Sequence, residues 1–174
     1  RGDDGIEDLV VRLAADTGTM GKLGPVAEAP FRIPDTWRWV RWGHLTRSTS
    51  SGWSPQCEGR PRTDGEWGVL KVSAVSWYVF KPEENKALPN GVKPRPEFAA
   101  RSGDFLMSRA NTSELVGRSV IVGKVPERLL LSDKLVRIEF SPLIEQGFVN
   151  LYNRTATPRS HYLKNASGTS ASMK

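Results

Sequence analysis

Cysteine occurs once in this sequence, at Cys57, and histidine twice, at His44 and His161, in unrelated surroundings. A single cysteine cannot close an internal disulfide, and so few soft ligands leave any zinc or iron–sulfur centre to be built almost wholly from carboxylates. No Gly-rich fingerprint follows an apolar strand at dinucleotide or phosphate-loop spacing, and the pattern G-x-S-x-G is missing. Those absences leave nucleotide cofactors and nucleophile-elbow hydrolases without support. No apolar run approaches the ~20 residues that cross a bilayer, and the acidic opening RGDDGIED is unlike a secretory leader. The expectation is a cytoplasmic chain without membrane contact, with no catalytic residues, no metal and no cofactor. The sequons at Asn111, Asn153 and Asn165 carry no meaning in that compartment.

What is present is size enough for one domain with a real core, and an excess of positive charge. The chain has 174 residues and a formal charge of +6, a weak pointer to an anionic partner. Its distribution says more. Between Arg38 and Arg62 stand arginines 38, 41, 47, 60 and 62 against one acid, Glu58, and from Gln146 to Lys174 there is no acid at all. Arginine in the first of these stretches suits phosphate and guanine recognition, because its planar fork binds bidentately.

The chain opens with a helical pattern. Ile6, Leu9, Val10 and Leu13 share a face, and Asp4 with Glu7 makes a capping pair. Gly18, Gly21, Gly24, Pro25 and Pro30 then break it as a linker. The entry FRIPDTWRWVRWG follows, with Trp37 and Trp39 read as anchors onto a core. Residues 46–64, without periodicity, read as a long loop carrying Trp53. GEWGVLKVSAVSWYVF predicts one or two strands, 81–96 a connection, the 103–123 block two strands, and LLLSDKLVRIEF a pair around Ser132-Asp133. Ser141-Pro142 and Thr157-Pro158 are helix-start signals. The expected fold is α/β (α+β) and β-rich, with short terminal helices and no internal repeat.

The segment SGDFLMSRANTSELVGRSVIVGK, residues 102–124, sets a polar loop between the apolar runs Phe105-Leu106-Met107 and Val120-Ile121-Val122. Arg109, Asn111, Thr112, Ser113 and Arg118 in that loop are donors and forked cations of the kind that read phosphates and base edges. An ordinary solvated hairpin loop is the competing reading of the same residues.

The ordered motifs FRIPDTWRWVRWG, GEWGVLKVSAVSW, SGDFLMSRANTSELVGRSVIVG, LLLSDKLVRIEF and TPRSHYLKNASGTSASMK span about residues 31–174. Together they resemble the target-recognition domain of the DNA specificity subunit of type I restriction-modification systems. The resemblance implies a non-catalytic domain that reads one half of a bipartite site in double-stranded DNA through loops in the major groove. It also implies methyltransferase and restriction-motor subunits as partners, with helical spacers that set the half-site distance. On this reading residues 1–30 are a spacer-helix tail and linker, 31–164 the recognition domain, and 165–174 a polar turn leading to a truncated spacer. A whole subunit of this family carries two recognition domains and two long spacers. The chain is then a fragment, or a half-subunit that pairs with a second copy as a homodimer.

The residues expected to face DNA are Arg60, Arg62, Lys71, Arg109, Asn111, Ser113 and Arg118. Arginine forks to guanine, asparagine to adenine, and lysine or serine meets phosphate. Turn chemistry competes at Asn111 and Ser113, and an exposed strand position competes at Lys71. Two other classes compete with DNA recognition as a whole. Asp35 followed by Glu84-Asn85-Lys86 imitates the carboxylate and lysine set of a metal-dependent nuclease or methyltransferase accessory domain. A protein-binding scaffold with a basic face is the other.

Overall fold

The computed structural model describes residues 3–19, 22, 26 and 29–166. Among these the helices are α1 (Asp3–Thr17), α2 (Trp42–Leu45), α3 (Gln146–Tyr152) and α4 (Ala156–Asn165). The strands are β1 (Thr46–Ser51), β2 (Gly68–Leu70), β3 (Asn85–Ala87), β4 (Phe105–Ser108), β5 (Ser119–Ile121), β6 (Leu129–Leu130) and β7 (Leu135–Phe140). Sheets that are mostly antiparallel with short helices make a mixed α/β, β-rich fold, as the sequence pattern predicts. The chain divides into two compact units, Arg1–Thr49 with Glu139–Gln146, and Ser50–Ile138 with Gly147–Lys174.

In the second unit, Gly68, Val69 and Leu70 are all buried, which a strand shows when both of its faces are covered. β2 runs antiparallel to β3 and parallel to β6, giving the order β3-β2-β6. Because side chains alternate along a strand, this small sheet has an apolar cluster on each face. Val69 and Leu130 join Leu88 on one side, with Trp53, Cys57 and Trp67 packed around them. Leu70, Leu129 and Leu131 join Leu106, Val120, Val122 and Leu135 on the other. The latter residues come from β4, β5 with its flank, and β7, so the larger core fills the space between the two sheets. In the second sheet β4 pairs antiparallel with both β5 and β7, Leu106 standing opposite Val120 and Arg137.

A buried polar knot ties α3 and α4 to β5. Asn153 donates to the Gly117 carbonyl and to Ser119 Oγ, both at 2.8 Å, and accepts from the Tyr162 hydroxyl. The Asn150 amide lies 2.8 Å from Ser119 Oγ. Burial pushes the Tyr162 hydroxyl up to about 12, against the nearby Arg159 cation, which favours ionisation. A folded value above the ~10 of a free tyrosine means that stability from the neutral phenol is complete below pH ~10 and is lost as the pH rises towards 12. Urea unfolding between pH 9 and 11.5 should therefore show a decline in the parent chain that Tyr162→Phe removes; an unchanged decline would rule out this assignment.

In the first unit, Leu13 is the buried residue of the expected α1 face, while Leu9 is exposed. α1 spans Asp3–Thr17, so Asp4 falls inside the helix. Arg47 pairs with the Asp16 carboxylate, 2.8 Å from Nε, and Arg38 reaches Glu7 at 3.4 Å. The Arg47 and Ser141 hydrogen bonds hold the Asp16 carboxyl below its ordinary range. Trp42 meets Phe140 edge to face, and Phe31 meets Trp39 likewise at 4.8 Å between centroids.

Several expectations are corrected. Trp37 is 51% exposed and does not anchor a core as expected; Trp39 is partly buried. Residues 46–51, read as loop, form β1, an exposed strand without apolar alternation. Beyond β2 the VSAVSWYVF run becomes a 3-10 turn at Val72–Val75, because Ser76 Oγ bonds the Val72 carbonyl and competes with extension. The connection 81–96 contains β3. β6 and β7 do not pair with each other but enter different sheets. The helix expected at Ser141-Pro142 starts at Gln146, since the Ser141 hydroxyl and carbonyl first close a turn onto Leu143 and Ile144. Gly21, Gly24 and Pro25 of the linker and the GTSASMK turn lie outside the described residues.

Candidate functional site

The Arg109–Arg118 loop is built as a closed turn. Ser108 is fully buried at its base, where its N–H donates to the Arg118 carbonyl, its carbonyl accepts from Gly117 N, and its hydroxyl donates to the Leu115 carbonyl, each at 2.9 Å. Leu115 and Val116 both donate to the Thr112 carbonyl, and Thr112 N donates to Asn111 Oδ1 at 2.9 Å. From α4, Arg159 reaches under the loop and donates to the carbonyls of Ser113, Glu114 and Val116. This scaffold leaves the Arg109 side chain exposed, with no hydrogen bond or ion pair to any described residue, and leaves Ser113 exposed.

Further contacts connect the loop to its neighbours. Asn111 Nδ2 donates to Ser76 Oγ at 3.2 Å, and Arg109 N donates to the Lys134 carbonyl at 2.9 Å. Beyond Ser76 lies Tyr78, whose ring is covered by Arg118 at 4.3 Å and Arg154 at 4.9 Å. Arg154 also donates to the Tyr78 carbonyl at 3.1 Å. Desolvation, and then the like charge of Arg159, lower the Arg118 value. Beyond Lys134 a cleft of about 590 Å³ is lined by Lys71, Lys86, Lys134, Cys57 and Ser132 among others. The Ser132 hydroxyl there is buried without a partner. Burial pushes the Cys57 thiol up, which makes it a weak nucleophile.

The seven expected site residues therefore separate into two groups. Arg109, Asn111, Ser113 and Arg118 come together on one loop. Arg60 forks onto Glu66 at 2.7 and 2.8 Å and touches Glu58 at 2.9 Å, which holds Glu66 far below the ordinary carboxylate range. Arg62 donates to the Glu66 carbonyl at 3.0 Å. Lys71 pairs with Glu84 at 2.7 Å, and Ser73 donates to that carboxylate at 2.6 Å. These three side chains fasten the 58–71 segment, although Lys71 also lines the cleft. Lys134, Tyr78, Arg154 and Arg159 were missed by sequence reasoning. For the last two a signal existed: both lie in the stretch from Gln146 onward that contains no acid.

Among the described residues no group of three or more His, Cys, Asp or Glu side chains could hold a metal ion. The Glu84 carboxylate of the nuclease-like pattern is occupied by Lys71 and Ser73, so nothing here favours that alternative. No helix of the described residues is long and apolar enough to cross a membrane.

Fold and site together define a β-rich module that presents cations and amide groups on a braced loop, the equipment of a ligand-reading domain. No family model matches the chain. Among curated proteins it is similar to the specificity subunit of the EcoEI type I restriction enzyme of Escherichia coli, 39% identical over 140 residues, covering 78% of this chain and 24% of that subunit. The chain thus spans about a quarter of the length of the curated relative it matches. It belongs to the family of type I restriction specificity subunits, as the order of its sequence motifs implies.

Proposed function

We propose that this chain reads one half of a bipartite site in double-stranded DNA and thereby directs the methyltransferase and restriction subunits of a type I system. It acts in the cytoplasm and performs no chemistry itself. The observation that carries this reading is the 39% identity to a type I specificity subunit over most of the chain. The placement of cations supports it. Arg109 stands exposed on a loop held from both sides, so its fork is free to take a guanine edge, and Lys134 and Lys86 offer point charges to phosphates in the adjoining cleft. Ser113 and Arg118 follow Arg109 on the same loop. Asn111 acts as the loop's tie, and Arg60 and Arg62 act as framework. Residues 31–164 remain our proposed recognition domain, and pairing with a second copy follows only for a half-subunit.

Selection from a pool of randomised duplexes, followed by gel-shift titration, tests this. We expect one enriched half-site, and log affinity falling linearly with log salt. Arg109→Ala should lower affinity for that half-site about tenfold and relax preference at one base pair. Lys134→Ala should weaken all duplexes alike and reduce the salt slope by about 0.9. Enrichment of no sequence, with binding indifferent to salt, would overturn the reading.

A further inference from the structure

Tyr78 is a bulky residue held at φ 63°, a conformation that L side chains avoid and that persists only where the surroundings enforce it. The enforcement is visible. Arg118 and Arg154 cover the ring, Arg154 bonds the Tyr78 carbonyl, and Lys81 N returns to the Ala74 carbonyl at 3.0 Å to close the turn. Ser76, at the foot of the turn, is buried and tied to Asn111. With the centre of the turn fixed, its two flanking side chains are turned out: Trp77 is 56% and Val79 62% exposed. A tryptophan and a valine thus project from a strained, braced turn, with arginines at its base and the Arg109 loop beside it.

Exposed apolar surface with guanidinium groups at its base suits a ligand that offers anions and flat apolar faces together. A nucleic-acid duplex does so, with phosphates outside and stacked bases within. We propose that the Trp77–Val79 turn is a wedge that enters the duplex at one base step, where the Trp77 indole stacks on an unstacked base while Arg118 and Arg154 meet the flanking phosphates. This inference rests on the DNA-reading function proposed above and adds to it a deformation of the site, hence sensitivity to how easily a step opens.

The test uses the full chain and the selected duplex, with 2-aminopurine placed at successive positions. The parent chain should raise 2-aminopurine fluorescence at one position, and Trp77→Ala should abolish that rise and weaken binding about ten- to a hundredfold. Because no charge is removed, the salt slope should stay unchanged, and because the side chain is exposed, the melting temperature should too. Trp77→Phe should retain most of the affinity and the fluorescence rise. Binding and fluorescence of Trp77→Ala equal to the parent would overturn the wedge and leave DNA reading intact, assigning the turn to another surface such as a protein contact. A loss of binding accompanied by a lower melting temperature in both variants would also overturn it, as a purely structural effect. Failure of the parent chain to bind duplex in a salt-dependent way would instead remove the reading on which the wedge rests.

Discussion

Gly117→Ala is expected to lower stability by about 2–5 kcal/mol, the sum of a left-handed backbone forced on a non-glycine residue and an overpacked contact. Gly117 sits at φ 76°, and a Cβ there would lie 2.4 Å from Cδ2 and 2.6 Å from Cε2 of Tyr162. The ring cannot swing away cheaply, because its hydroxyl is bonded to Asn153, which in turn holds the Gly117 carbonyl and Ser119. At this chain length the melting temperature should fall by roughly 5–20 °C, and the Arg118 side chain next door should lose its seat on Tyr78. Gly123→Ala is the control, since nothing lies within 4 Å of a Cβ at that position. Calorimetry on the two variants decides the matter: equal melting temperatures would show that the close approach carries no energy.

Asp104→Ala should be as damaging by a different route. The Arg137 guanidinium is largely buried, 2.8 Å from the equally sheltered Asp104 carboxylate, and also donates to the Ala99 carbonyl. Asp104 further accepts from Arg101 N at 2.8 Å, and Arg137 Nε already has no partner. Removing the carboxylate strands a positive charge in a poorly hydrated place, a loss of about 3–5 kcal/mol when one member of a buried pair is deleted. Deleting both members should be far milder. Asp104→Ala combined with Arg137→Met is expected to recover most of the loss, because a thioether needs no counter-charge. Urea unfolding of the single and double variants measures this, and a double variant as unstable as the single one would contradict it.

The parts of the fold legible in the sequence are those whose burial shows as apolar runs. Phe105-Leu106-Met107 and Val120-Ile121-Val122 announce two strands and the loop between them. β1 was illegible, because Thr46–Ser51 contains no apolar residue and is a strand through backbone pairing alone. β6 and β7 look like a hairpin because a turn signal separates them, but Leu129, Leu130 and Leu131 supply both faces of a different sheet. The candidate site follows the same logic. Counting charges between Arg38 and Arg62 set five arginines against Glu58 alone, whereas Glu7, Asp16 and Glu66, all outside that stretch, meet Arg38, Arg47 and Arg60. Residue type marks a cation; only the fold decides whether it already has a counter-ion.

The pairing of Arg60 with Glu58 and Glu66 has a kinetic consequence. Charge cancelled within a few ångströms projects almost no field beyond a Debye length, so Arg60 adds little to the field that reaches solvent, while the exposed Arg109, with no ion pair to any described residue, still contributes to it. A polyanion diffusing nearby is turned by that imbalance before any atom touches. The encounter begins already oriented, and the association rate should fall with ionic strength alongside the affinity.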